Sequence, residues 1–292
     1  WRNLLKGIYD TEKSRRRIIV TGSARRGYSE SFISRIERDA NLAELDDKGR
    51  AFIAFCRSLA RSRPRPMKSD FQALVALGFA PLAVAEMTMQ IALSCFYNRI
   101  GLLSACPSEH DFERMTEGLR GRLMGPVVRL VLSLHRHSQP PLLDAATLSA
   151  GAFGPVVATL DGLPGASIFK AALDGAFAST VLPKSTKALM FAVVARTLGC
   201  RTSESEARKL LVAEGFSEVE IEAALTTLRC ARLTQADESL LSWARDTVYY
   251  QIGTIQRQTA TLAAGIGGAK ILEAIGVAAL ANAVVRLAML LE

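Results

Sequence analysis

Residues 184–200 read KSTKALMFAVVARTLGC, and they set the helical character of the chain. Pro183 fits the turn before a helix, and Gly199 fits a helix end. The apolar interval between them predicts a helix that runs to Leu198. Residues 256–291 predict one or two more long apolar helices, and no segment alternates apolar and polar residues as a half-buried strand does. The chain is therefore predicted to be all-α.

Capping residues place several helix starts. Asp46 and Asp47 precede an apolar stripe at helical spacing, and Pro81 fits the first turn of another helix. Residues 69–72 (SDFQ) and 217–220 (SEVE) are each typical of a capping box, in which two side chains satisfy the free N–H groups of a helix start.

Segments of the two halves align at a shift of 187–188 residues. Residues 47–57 align with 236–245, which places Phe55 on Trp243. Two further pairs are matched in spacing: Glu86 with Glu273, and Arg99 with Arg286. The repeat predicts a duplicated helical unit. The Gly- and Pro-rich middle then divides the chain into a basic first repeat at 1–140, a linker with short helices at 141–165 and a second repeat at 166–292.

The charge of the chain is one-sided. The net charge is +8, of which residues 1–140 contribute +9 and residues 141–292 contribute −1. A basic surface of this kind attracts an anionic partner, although a solvated helix face has the same composition. No aromatic-rich binding motif accompanies the basic residues, which disfavours nucleic acid.

The cysteines and the apolar segments bear on location. Five cysteines are scattered without a CxxC pair, which indicates a reducing compartment and hence the cytoplasm. No secretory signal is recognisable. The most apolar segment, 274–285, is shorter than the roughly 18 residues that span a bilayer, which disfavours a membrane protein.

The stretch at 184–200 resembles the signature helix of the AhpD-like (carboxymuconolactone decarboxylase) family. That helix has a Pro-Lys type start and ends in Gly-Cys-x-x-Cys-x-x-x-His, with a Glu twelve residues before the first Cys. Residues 271–286 are similar to the closing helix of the family. In the first half, residues 16–27 look like a second signature helix, and Asn98-Arg99 matches an Asn-Arg of the peroxidase-related branch. The resemblance implies two AhpD-like helical bundles in tandem, related by an approximate twofold axis and prone to oligomerise.

Most residues that carry the family's chemistry are replaced. In the second copy, Cys200 is the first cysteine, whereas Ser203, Ala207 and Ala188 stand at the resolving cysteine, histidine and glutamate positions. The first copy has substitutions at all four positions, and these are Tyr28, Ser31, Arg35 and Arg16. The family reaction needs a thiolate, a Glu-His proton relay and a resolving cysteine, and only the thiol is left. Cys200 is either a reactive thiol at a helix start or a small buried core residue.

Other polar residues have two interpretations. Glu86 and Glu273 lie in apolar helices, where they either pair with core arginines such as Arg99 and Arg286 or line a pocket. The three histidines lack metal-ligand spacing, and no phosphate loop or dinucleotide fingerprint is present, so the prediction is no metal and no cofactor.

Two functions follow from these features. The first is a non-catalytic module that binds a ligand or a protein partner, similar in layout to the sestrins, and that associates with a partner protein or with itself. The alternative is a single-cysteine or cofactor-free oxidoreductase that acts on peroxide or a small apolar substrate in the helical pocket.

Overall fold

The computed structural model describes residues 7–10, 17–20, 46–62, 65–105, 141–249 and 251–292. Within these ranges the fold is all-α in class, as predicted. The described part of the first half contains three helices: α1 (Asp47–Arg61), α2 (Lys68–Ala76) and α3 (Pro81–Leu103). The remaining elements are α4 (Ala145–Ser149), α5 (Gly154–Val157), a 3₁₀ turn (Ala158–Leu160), α6 (Gly165–Ala178), α7 (Lys184–Leu198), α8 (Arg201–Ala213), α9 (Glu218–Thr227), α10 (Gln235–Asp246), α11 (Ile252–Ile266), α12 (Gly268–Ala288) and a closing 3₁₀ turn (Met289–Leu291).

One short antiparallel hairpin interrupts the helical pattern. Strand β1 (Gly7–Asp10) pairs with β2 (Arg17–Val20), with Gly7 opposite Val20 and Asp10 opposite Arg17. The prediction of a signature helix is therefore wrong for residues 17–20, and so is the prediction that no strand forms. The physical reason is the β-branched run Ile18, Ile19 and Val20, whose stiff side chains favour extended backbone. Arg16 and residues 21–27 lie outside the described residues.

Local chemistry fixes most helix starts where predicted. The Asp46 carboxylate accepts a hydrogen bond from Gly49 N at 2.7 Å, Pro81 occupies the first turn of α3, and the Ser217 and Glu220 side chains form a capping box. The box predicted at 69–72 is wrong. Because the Asp70 carboxylate reaches back to Met67 N at 2.8 Å, α2 begins at Lys68 and Ser69 lies inside it.

Helix α12 is the centre of the molecule. Residues 277–289 are buried without exception, since α3 of the first half packs on α12 and α7 of the second half packs on it as well. Both sides of this part of the apolar helix are therefore covered. Gly268–Leu291 is the one stretch among the described helices that is long and apolar enough to cross a membrane, and 83% of its most apolar window is buried inside the protein.

The segment at 141–165 forms short helices that belong to the core. Leu148, Phe153 and Leu160 are buried, and the Phe153 ring lies 4.5 Å from that of Phe191 on α7. Buried residues of both halves form one hydrophobic cluster. The segment therefore packs as part of the fold, while the division into two repeats stays a prediction.

Candidate functional site

Cys200 lies at the sharp turn between α7 and α8. Gly199 closes α7 in a left-handed conformation (φ 70°), which a glycine adopts without the strain of a side chain. Cys200 is then the N-cap of α8, which confirms the predicted helix start. The turn directs the thiol inward, and only 1% of Cys200 is exposed.

The three positions of the second half where the resemblance expects the family's other site residues are also closed to solvent. Ala188 on α7 and Ser203 and Ala207 on α8 are each at most 1% exposed, and the two helices pack closely on each other. The Ser203 hydroxyl is buried without a hydrogen-bond partner among the described residues. These positions hold small side chains and no acid or imidazole. Their first-copy equivalents Arg16, Tyr28, Ser31 and Arg35 lie outside the described residues.

A carboxylate lies beside the thiol. Cys200 Sγ donates to Glu292 Oε1 at 3.4 Å, and the backbone N–H of Thr202 donates to the same oxygen at 2.5 Å. The Arg65 guanidinium pairs with the other carboxylate oxygen and also donates to Gly199 O. We call Cys200, Thr202, Arg65 and Glu292 the Cys200 cluster.

Sequence reasoning missed Arg65 and Glu292. Arg65 and Glu292 are 227 residues apart, and neither lies in a local motif with Cys200. Only the packing of α2 against the closing 3₁₀ turn brings their two segments together.

Charged side chains of α7, α8 and α9 bind one another. The Arg196 guanidinium bonds to the carboxylates of Glu204 and Glu222 at 2.6 Å each. Arg208 binds the same two carboxylates together with Glu218. Hydrogen bonds from Arg196 and Arg208 lower the pKa of Glu222 to about 2, and the hydrogen bonds that Arg196 donates to Glu222 and Glu204 raise the pKa of Arg196. These groups form an ion-pair network that ties α7, α8 and α9 together.

Glu273 pairs with a lysine rather than an arginine. Lys187 Nζ is fully buried and lies 2.7 Å from Glu273 Oε1, and it also donates to Ala176 O and Ser179 O at the end of α6. Burial raises the pKa of Glu273, but hydrogen bonds from Lys187, Ser179 and Leu182 outweigh it and hold the pKa below its usual value. The contacts make Glu273 a structural residue. Its predicted counterpart Glu86 is exposed on α3.

Arg99 and Arg286 are buried core residues. Each donates to the carbonyl four residues earlier on its own helix. Arg99 Nη1 lies 3.3 Å from Cys95 O, and Arg286 Nη1 lies 2.6 Å from Asn282 O. One further hydrogen bond of each side chain crosses between the halves.

The other thiols show no redox pairing in the described chain, where Cys56, Cys95, Cys200 and Cys230 are all free. Burial raises the pKa of Cys56 to about 12, so this thiol stays protonated. Among the described residues, no three His, Cys, Asp or Glu side chains are placed to hold a metal ion.

The fold and site thus define a protein of the all-α class with a buried thiol beside a carboxylate. Comparison with protein families, curated proteins and solved structures finds no match for the chain.

Proposed function

We propose that the chain is a non-catalytic helical module that binds a ligand or a protein partner. The observation that carries the proposal is the closure of the thiol: Cys200 is 1% exposed, and Ala188 and Ala207 stand where a proton relay would be needed. A peroxide has to reach the sulfur, and the thiol proton has to leave. Removing general acid–base assistance slows such a reaction by about 10²–10⁴-fold.

The partner is expected on the outer surface. Residues 277–289, which include most of α12, are buried inside the protein, so this part of the helix is not available for binding. The surplus of nine positive charges on residues 1–140 supports an anionic partner, and the family resemblance supports a protein partner or self-association. Static light scattering across a salt series tests whether charges hold copies of the chain together. The measured mass should fall as salt is added, since salt screens contacts between exposed charges.

Peroxide consumption with a thiol reductant tests the absence of catalysis. The matched pair is the natural protein and Cys200→Ala, which removes one buried sulfur. We expect both to consume peroxide at the same near-background rate.

A second function is favoured by one contact, the 3.4 Å approach of Glu292 Oε1 to the Cys200 sulfur. A carboxylate at this position accepts the thiol proton. The thiolate then attacks a peroxide oxygen, the O–O bond breaks, and sulfenic acid and water or alcohol form, after which an external thiol reduces the sulfenic acid. This single-cysteine oxidoreductase requires turnover that is lost in both Cys200→Ala and Glu292→Gln.

A further inference from the structure

Exposure increases outward through the Cys200 cluster. Cys200 is 1% exposed, whereas the side chains of Glu292 and Arg65 are 14% and 29% exposed. The carboxylate and the guanidinium are therefore the layer between the thiol and solvent. Both come from short segments, Arg65 from the connection between α1 and α2, and Glu292 from the end of the closing 3₁₀ turn.

Three donors converge on the Glu292 carboxylate. They are the backbone N–H of Thr202 in the first turn of α8, the guanidinium of Arg65 and the thiol of Cys200. A helix amino terminus and an arginine both favour a negatively charged oxygen ligand, and such charge-assisted hydrogen bonds are stronger than neutral ones. The donors suit an anionic oxygen ligand, and the Glu292 carboxylate is the one that occupies them.

Arg65 also binds the turn between α7 and α8, where Cys200 lies. Its guanidinium donates to Gly199 O, one residue before the thiol, while it holds Glu292. Loss of the carboxylate would leave Arg65 and the α8 terminus facing an open space of carboxylate size.

We propose that these donors form a carboxylate-binding site that Glu292 occupies as a latch, and that release of Glu292 opens Cys200 and admits a small external carboxylate in its place. The latch rests on the same closure of Cys200 as the proposed function, but its test reads labelling of the sulfur and not turnover of peroxide. A failure of one therefore does not imply a failure of the other.

The test is labelling of the full chain with N-ethylmaleimide, followed by mass spectrometry of each cysteine. In Glu292→Ala and in Arg65→Met we expect the labelling rate of Cys200 to rise about tenfold or more, because charge-assisted bonds that keep the site closed are lost. The matched control is Glu206→Ala, which removes a largely buried carboxylate of α8 that pairs with the exposed Lys209. It should leave the rate unchanged.

Two internal references separate the latch from general loosening. The labelling rate of half-buried Cys230 shows that the reagent is equally active in each sample. The labelling rate of buried Cys95 measures opening of the core. Selective acceleration at Cys200 supports the latch. Equal acceleration at Cys95, or no acceleration at Cys200, overturns it.

Acetate is the probe for the emptied site. In Glu292→Ala, acetate should slow Cys200 labelling again by several-fold, whereas chloride at equal ionic strength should not. Equal effects of the two salts would overturn the assignment of a carboxylate-binding site.

Discussion

Arg99 and Arg286, which stand 187 residues apart, each bind the carboxyl end of a helix in the opposite half of the chain. Arg99 Nε donates to Thr247 O at the end of α10, at 3.3 Å, and Arg286 Nη2 donates to Ala60 O in the last turn of α1, at 3.2 Å. Thr247 and Ala60 are themselves 187 residues apart. A reciprocal exchange of this kind is expected when two copies of one unit face each other, and it supports the proposed duplication.

The residues one turn earlier follow the same offset. Cys95 Sγ approaches Ala60 O at 4.0 Å, and Asn282 Nδ2 donates to Thr247 Oγ1 at 3.1 Å. A thiol and an amide thus contact equivalent helix ends in the two halves. The correspondence lies in position and not in residue identity, so superposition of the two helix sets is the appropriate test of the proposed twofold relation.

The reciprocal contacts predict matched stability effects. Arg99→Met and Arg286→Met should each reduce the free energy of unfolding by about 1–3 kcal/mol, since each leaves a buried carbonyl without its charged donor. Arg245→Met, on the exposed end of α10, should change it by less than about 0.5 kcal/mol. Urea unfolding provides the measurement. A large effect for only one of the two buried arginines would contradict their equivalence.

The buried lysine predicts a larger effect. Lys187→Met leaves the Glu273 carboxylate and two carbonyls of the α6 end without their cation, which should cost about 3–5 kcal/mol. Lys209→Met removes an exposed lysine that also pairs with a glutamate, and should cost less than about 0.5 kcal/mol. Similar unfolding midpoints for the two variants would show that the Lys187 contacts contribute little.

The ion-pair network predicts a pH dependence. The pKa of Glu222 is lowered from 4.5 to about 2 by Arg196 and Arg208, so the folded state binds this proton less readily than the unfolded chain. Its stabilising contribution is therefore complete above about pH 4.5 and lost as the pH falls towards 2. The stability difference between the natural protein and Glu222→Gln should accordingly be present at neutral pH and vanish near pH 2. A difference that is constant with pH would exclude the network as its source.

Two glycines predict opposite outcomes of the same substitution. A Cβ at Gly154 would lie 1.9 Å from the backbone oxygen of Ser149, so Gly154→Ala should destabilise the fold by about 3 kcal/mol. Gly175, inside α6, has open space at its Cβ position, and Gly175→Ala should stabilise by about 0.5–1 kcal/mol through reduced freedom of the unfolded chain. Thermal unfolding of both variants provides the measurement. An unchanged unfolding midpoint in Gly154→Ala would show that the turn between α4 and α5 has room for a side chain.

The helices that could be placed correctly from the sequence are those whose ends depend on local contacts. Pro183, Gly199 and the Ser217 capping box act on their immediate neighbours, so α7 and the start of α9 could be placed correctly. The hairpin was missed because a run of only three β-branched residues, at 18–20, is too short to give a period.

The site contacts that could not be predicted from the sequence join residues far apart in the chain. Glu292 reaches Cys200 from 92 residues away, and Lys187 meets Glu273 across two packed helices. A lysine near the start of an apolar helix carries no sign that its ammonium is buried. Such pairs are determined by packing, which periodicity and motif spacing do not describe.

The reaction of Cys200 with hydrogen peroxide tests the central claim most directly. Its rate constant, measured by mass spectrometry of the sulfur, is compared between the folded protein and the protein unfolded in urea at the same pH. A closed, non-catalytic site predicts a slower reaction in the folded protein, because the thiol is shielded there. A faster reaction in the folded protein would mean that the fold activates Cys200, and it would contradict the non-catalytic account.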